Sequence, residues 1–347
     1  MTDAPSALGA LMRSEINEQP EMFERILSSA PTEIEQVAAA IRAYQPTSVL
    51  LVARGTSEHA AIHAKYLIET DLGLPVGLVS MSSYTTYGAS PALKGVLWIA
   101  LSQSGGSPDL SAATKVARAN GALTVAFTNN PESLLASTAD HHVYLQAGPE
   151  LAVAATKSYT ATILATTRLV LALKGEKDLD LVPLPQLAQA ALETSVEEVA
   201  NRYRTITRLV TVSRGYAYAT ARESALKIME TNSLPAQAFS GADLQHGPMA
   251  MVQPTTPVLM IVPEGKATVA LQPVIDAITA KGAELSVVGA KRLSEAEAFI
   301  ELPAGIDERL APIVQILPLQ RLALEMSTRR GINPDAPVGL KKVTETL

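Results

Sequence analysis

The 347-residue chain contains no cysteine. Structural disulfides, thiolate metal sites and cysteine nucleophiles are thereby excluded together. It also lacks any charge-free apolar run of about 20 residues, the length a bilayer-spanning helix needs, so no membrane helix is expected. The N-terminal "MTDAPSALGALMRSEINEQPEMFERIL" has neither the basic start nor the apolar core of a secretory signal. A cytoplasmic location is the expectation. Positive charge is scarce as well: 28 Lys and Arg against 34 Asp and Glu give a net charge of −6, unlike a nucleic-acid binder. An anionic ligand would have to be held by local groups. The histidine pairs His59/His63 and His141/His142 come without a carboxylate pattern, so no metal site is expected.

What is present is a globular composition, 47% apolar and 18% charged, in a chain long enough for two domains. Residues 1–44 read as helical. Short apolar runs follow ("SVLLV", "PVGLV", "KGVLWIA", "GALTVAF", "DHHVYL"), separated by helical stretches. Strands alternating with helices indicate a mainly parallel sheet covered on both faces. The charged, Pro-containing stretch Lys174–Gln186 reads as a linker. Beyond it the pattern restarts: "RLVTVSRGYAYATARESALKIME" repeats the layout of "SVLLVARGTSEHAAIHAKYLIE", each strand ending in a small residue followed by Arg-Gly. Two tandem α/β domains are expected, at 45–175 and 200–330, with a tail at 331–347 that has no apolar periodicity.

The densest polar motif is "LSQSGGSPD", between the run "KGVLWIA" and a helical stretch. In parallel sheets, ligands sit beyond the carboxyl ends of strands, where helix N-termini favour anions and glycine allows close approach. Ser102, Gln103, Ser104 and Ser107 are therefore read as a phosphate cradle, with a plain helix-capping turn as the alternative. Asp109 reads as an ordinary helix-start acid. Ser57, in "ARGTSEHA", faces the same ligand if its strand neighbours that of the cradle. Thr156-Lys157 reads as a solvated lysine near a helix start. Glu223, Lys227 and Glu230 share one helical face. They form either a solvated ion pair or, with His246, a carboxylate and imidazole able to act as general base and acid.

Taken in order, "RGTS", "SQSGxSxD", "AVAATKSY", "ALKIMExxxxxAQAFSGxxxQHGP" and "LKKVT" resemble the sugar isomerase family of double-SIS-domain proteins over nearly the full length. Within it, the chain is similar to the isomerase half of glucosamine-6-phosphate synthase and to the SIS-type glucosamine-6-phosphate deaminase. The resemblance implies two tandem SIS domains, each a mainly parallel sheet flanked by helices. It assigns Ser57, Ser102, Gln103, Ser104 and Ser107 to the sugar phosphate, and Val153 and Ala155 to the segment lining the sugar. Glu230 becomes the carboxylate moving a proton between carbons 1 and 2. His246 becomes the ring-opening imidazole contributed by the other subunit, and Lys342 the tail lysine near the open-chain sugar. Glu223 and Lys227 are polar neighbours. A homodimer with shared active sites, no cofactor and a small sugar phosphate as substrate are implied.

Departures from the synthase bear on the direction of reaction. With no cysteine, a cysteine-dependent glutaminase domain is not expected; Ala155 stands where the synthase has serine, Gly106 replaces an acidic residue, and Gln245 replaces a lysine. Together with "GINPDxPxGLKKVTxTL" these lean toward the deaminase: glucosamine 6-phosphate giving fructose 6-phosphate and ammonia. The alternatives are the isomerase part of the synthase and a sugar-phosphate-binding regulator, which would need the serine loops but not Glu230, His246 and Lys342.

Overall fold

The computed structural model describes residues 8–29, 32–176 and 181–342. The chain divides into two compact units. The first comprises Glu21–Glu150, Lys157–Val182 and Lys341–Leu347; the second comprises Met1–Pro20, Leu151–Thr156 and Pro183–Leu340. The chain therefore passes from one unit to the other five times, and the second unit takes in a six-residue segment, Leu151–Thr156, from within the first half of the sequence.

The first unit is built on β1 (Ser48–Val52), β2 (Val76–Leu78), β3 (Val96–Ser102), β4 (Leu123–Thr128) and β5 (His141–Tyr144). All pairings are parallel, in the order β2-β1-β3-β4-β5. Both faces of such a sheet are covered, so its central strands need apolar side chains pointing both ways. Leu97 to Leu101 on β3 are accordingly all buried, in register with β1 (Leu51 opposite Ile99) and β4 (Ile99 opposite Val125). Trp98 anchors one face. Tyr84 meets it edge-on at 5.5 Å, and its indole N–H donates to Thr114 Oγ1 at 3.1 Å, satisfying the ring's polar atom inside the core. The helix Lys157–Lys174 is buried along nearly its whole length, and Thr162 and Thr166 return their hydroxyls to carbonyls one turn back.

In the second unit, β6 (Leu209–Ser213), β7 (Ala236–Ser240), β8 (Pro257–Val262), β9 (Glu284–Gly289) and β10 (Ala298–Glu301) form a second all-parallel sheet ordered β10-β9-β8-β6-β7. Renumbered from its own first strand, this is the order of the first sheet. Two buried helices, Tyr218–Asn232 and Ala311–Arg329, pack against each other within this unit.

The stretch read as a linker holds the end of the helix Lys157–Lys174 and the start of the helix Leu184–Glu193. Pro183 caps that second helix and Pro185 lies in its first turn, where a missing amide hydrogen costs nothing. Residues 177–180 of the stretch lie outside the described residues. Among the described residues, no helix is long and apolar enough to cross a membrane.

Candidate active site

In each sheet the chain leaves the first strand toward one side and later returns on the other, so a crevice opens beyond the carboxyl ends of the central pair. In the first unit that pair is β1 and β3, hydrogen-bonded neighbours, which meets the condition for Ser57 and the cradle serines to face one ligand. Ser57 lies in the first turn of the helix Thr56–Leu67 after β1; Ser102 to Ser107 run from the end of β3 into the helix Pro108–Ala119.

The cradle loop is organised by its own hydroxyls. Ser102 Oγ accepts from the Gly105 amide at 3.1 Å, and Ser104 Oγ from the Gly106 amide at 3.2 Å. A hydroxyl that accepts still has its proton to donate, so both remain donors for an anion. Ser107 stands at the N-cap without a side-chain capping bond, which removes the plain capping role considered for its hydroxyl. Gly105 has φ +63°, and a Cβ there would lie 2.1 Å from Ser133 Oγ; the turn fits only glycine. The loop's other supports are Asn129, whose amide donates to the Gln103 carbonyl at 2.9 Å, and Leu135, whose amide donates to the Gly105 carbonyl at 3.1 Å.

Asp109 is not a solvent-facing helix-start acid. It is 3% exposed, and its Oδ2 accepts two bonds from the Arg54 guanidinium, at 2.7 and 3.1 Å. Arg54 ends the loop after β1, so this pair ties the two crevice loops together. The sequence showed Arg54 only as part of a repeated Arg-Gly.

Also in the first unit, the tail residue Lys342 donates to Glu150 Oε2 at 2.9 Å. Glu150 is enclosed and further accepts the Ser158 amide at 3.0 Å and its hydroxyl at 2.7 Å. Burial by itself pushes this carboxyl up. The Lys342 ammonium and the two Ser158 bonds together outweigh it and hold the group below the usual carboxylate range. Lys157, expected to be solvated, is 2% exposed. The helix it opens is buried on every side, so its first residue has no solvent to reach.

The second unit carries Glu223, Lys227 and Glu230 on the helix Tyr218–Asn232. Lys227 and Glu223 side chains are fully enclosed, 3.4 Å apart, and Lys227 reaches Glu230 Oε2 at 2.5 Å. Glu230 keeps 24% of its side chain exposed. A solvated i,i+4 pair is therefore the wrong description: one buried ammonium lies between an enclosed carboxylate and one that opens outward. His246 follows the short helix Gly241–Gln245, is exposed, and its Nδ1 lies 2.8 Å from the Ala242 carbonyl oxygen. That bond is local, within its own turn, and does not engage Glu230.

Val153 and Ala155 are half-buried in the segment Leu151–Thr156. Two buried polar residues that the sequence did not single out secure it. Glu15 accepts the Leu151 amide and also that of Ala152, at 3.2 Å; Gln320 donates to the Thr156 carbonyl at 3.2 Å and accepts from Gln19 at 2.8 Å.

The switch point of the second sheet is filled from within. Gly265 (φ +123°) precedes the helix Lys266–Ala280, whose first amides, Lys266 and Ala267, donate to the Glu308 carboxylate at 2.8 and 3.0 Å. Glu308 thus occupies the place where the corresponding helix N-terminus of the first sheet presents its hydroxyl-rich loop. Among the described residues, no group of three or more His, Asp or Glu side chains could hold a metal ion.

Two parallel sheets of one topology, with a hydroxyl-rich loop at one switch point and a chain carboxylate at the other, define a tandem sugar-isomerase-type protein. The SIS domain model matches residues 44–172 and 203–328, and the chain belongs to the SIS domain family. It is 35% identical over 343 residues to the glutamine–fructose-6-phosphate aminotransferase (isomerizing) of Pyrococcus horikoshii, covering 95% of this chain and 57% of that protein. The Methanothermobacter thermautotrophicus enzyme of the same name is 33% identical, with 95% and 56% covered. The chain thus spans little more than half the length of these curated relatives. Among solved structures, a Silicibacter pomeroyi protein provisionally described as a phosphosugar isomerase matches with a TM-score of 0.87 and 35% identity, over 93% of this chain and 99% of that one. The C-terminal domain of glucosamine-fructose-6-phosphate aminotransferase from Francisella tularensis matches at 0.84 and 26%, over 96% and 98%. A Thermotoga maritima glucosamine-6-phosphate deaminase matches at 0.75 with 20% identity, over 96% and 98%, a likeness of fold alone.

Proposed function

We propose that this chain carries out the isomerising chemistry of glutamine–fructose-6-phosphate aminotransferase: fructose 6-phosphate and ammonia on one side, glucosamine 6-phosphate on the other. The observation that carries this reading is the enclosed Glu223–Lys227 pair holding the partly exposed Glu230. A binding module needs no carboxylate held in this way, whereas a proton shuttle does. Ammonia condenses with the ketose carbonyl at carbon 2, losing water. Glu230 then takes a proton from carbon 1, giving an enolamine, and returns it to carbon 2, leaving the aldehyde at carbon 1 and the amine at carbon 2. The hydroxyls of Ser57, Ser102, Ser104 and Ser107, with Gln103, hold the phosphate; Val153 and Ala155 line the sugar; Lys342 lies by the open-chain form; His246 assists ring opening. The steps require no cofactor.

Deamination is the same path run backward. The curated relatives described above are aminotransferases, which favours the amination side over the net deaminase expected from the motifs; Ala155, in place of the synthase serine, keeps the deaminase as the second reading. The test is to incubate the chain with fructose 6-phosphate and ammonium, and separately with glucosamine 6-phosphate, following both sugars by NMR and ammonia by a coupled assay. Turnover in either direction supports the isomerising reading. Tight binding of both sugars without turnover replaces it with the regulator. We also propose a homodimer in which His246 serves the partner's site, consistent with its exposure. Mixing inactive Glu230→Gln and His246→Ala chains should then regenerate about a quarter of the wild-type sites in randomly assorted dimers; no recovery on mixing would show that both groups act within one chain.

A further inference from the structure

We infer that Glu150 is the positioning residue of the tail lysine: it fixes where the Lys342 ammonium meets the substrate. The inference rests on the isomerising reading above for what Lys342 does, but not for how it is held. Glu150 closes the segment after β5 and is 6% exposed, with no side-chain surface accessible. Its two oxygens are differently engaged. Oε1 accepts the Ser158 amide at 3.0 Å; Oε2 accepts the Ser158 hydroxyl at 2.7 Å and Lys342 Nζ at 2.9 Å. Ser158 is the second residue of the helix Lys157–Lys174, so the carboxylate is clamped in the helix's first turn, where amides lack internal partners and negative charge is favoured. Two of these three hydrogen bonds are made to Ser158 and involve no residue of the tail.

Lys342 is attached at the other end of the contact, with 24% of its side chain exposed. A lysine carries its charge on four rotatable carbons and has three donors. One donor is spent on Glu150, which leaves two to address a sugar oxygen from a fixed point. Without the carboxylate the same stem would sample many rotamers, and a misplacement of about 1 Å at a reacting centre costs about 10²-fold in rate. The pair is closed on the carboxylate side and open on the ammonium side, the arrangement expected of a mount and the group it aims.

The test uses Glu150→Gln, Glu150→Asp and Ser158→Ala in the full chain, alone and combined with Lys342→Met. Two readouts are followed: steady-state kinetics with fructose 6-phosphate and ammonium, and the rate at which an amine-reactive acylating reagent labels Lys342, read by mass spectrometry. Glu150→Gln keeps size and the Ser158 amide contact but loses the charge. It should lower kcat by about 10²-fold, the loss set by misplacement, with KM for the sugar phosphate nearly unchanged. Acylation of Lys342 should quicken several-fold. Glu150→Asp should restore part of kcat, and Ser158→Ala, which removes one of the clamping bonds, should lose less than Glu150→Gln. Adding Lys342→Met to Glu150→Gln should cost nothing more, because the two act as one unit. The inference is overturned if kcat and labelling both stay at the wild-type level, or if the two losses multiply. Should Glu150→Gln fail to fold, the aspartate and Ser158→Ala variants decide on the same readouts. If the wild-type chain turns over no sugar phosphate, the isomerising reading fails by itself, and the labelling rates still support or overturn the mount.

Discussion

Glu230→Gln replaces one carboxylate oxygen by an amide nitrogen and leaves the side chain's volume unchanged. Its effect on stability can be worked from the contacts. Lys227 loses a charged partner at 2.5 Å but keeps the enclosed Glu223 at 3.4 Å, so the buried ammonium is never left uncompensated. The glutamine carbonyl can still accept from Lys227. Exchanging a charged acceptor for a neutral one should then cost about 1 kcal/mol, and the partial exposure of Glu230 screens even that. The kinetic effect belongs to a different scale. Losing a positioned general base removes about 10²–10⁴-fold, equivalent to about 2.7–5.5 kcal/mol of transition-state stabilisation. The assay is deuterium entry from heavy water into carbons 1 and 2 of the sugar phosphate, alongside thermal unfolding and ligand affinity on the same samples. The expected variant folds, binds sugar phosphate within a few-fold of wild type and exchanges almost no deuterium. Undiminished exchange would remove Glu230 from the proton path. A raised KM at unchanged kcat would make it a binding group instead.

Ser104→Ala should weaken sugar-phosphate binding about tenfold, from the loss of one hydrogen bond to a charged group, and unphosphorylated sugars should bind poorly to the wild type; isothermal titration with both ligands checks this. Gly105→Ala should lower the melting temperature, because it combines a φ of +63° with a Cβ 2.1 Å from Ser133 Oγ, and Gly106→Ala, whose Cβ meets nothing nearer than 3.6 Å, serves as the control. Glu308→Ala should cost about 0.5–2 kcal/mol, as other lost helix caps do, and denaturant unfolding measures it. Glu150, held below its ordinary value, contributes stability that is present above about pH 4.3 and lost as pH falls through its lower folded-state value. Lys342→Met should flatten that acid-side loss in pH-dependent unfolding, since it removes the attraction that lowers the carboxyl.

The sheets were legible because buried parallel strands must be apolar on both faces, and runs such as "VLWIALS" admit few other readings. β7 left no such trace: "AQAFS" is an edge strand, only partly buried, and its small and polar residues form no apolar run. Of the site, the serine cradle announced itself by density of hydroxyls, and the carboxylate–lysine face by helical spacing. Spacing could not tell the enclosed Glu223–Lys227 pair from a solvated one, because burial depends on what packs against their helix, including Ala311–Arg329, more than eighty residues further along the chain. Asp109, Glu150 and Glu308 were hidden for a related reason. Each is a common surface residue whose partner, whether Arg54, Lys342 or the first amides of the helix Lys266–Ala280, is fixed by tertiary structure alone. Gln19, Glu15 and Gln320 sit in helices, where a polar residue ordinarily marks the outward face.

The repeated passage of the chain between its two units bears on how the molecule is made. Severing the chain in the connection at 175–183 would give halves of similar length, each with a complete sheet, yet neither would be a whole unit. The later half would lack Met1–Pro20 and Leu151–Thr156. Gln320 would then lose Gln19 and the Thr156 carbonyl at one stroke, and Leu324 would lose Met12, Ile16 and Ala152 from its apolar cluster. During synthesis the second sheet can form as soon as its strands emerge, but the core around Gln320 closes only on segments made 164 and 301 residues earlier. Contacts of such long range are slow to form, because the intervening chain must be ordered first. The last turns of Ala311–Arg329 are thus where the beginning, middle and end of the polypeptide are finally joined.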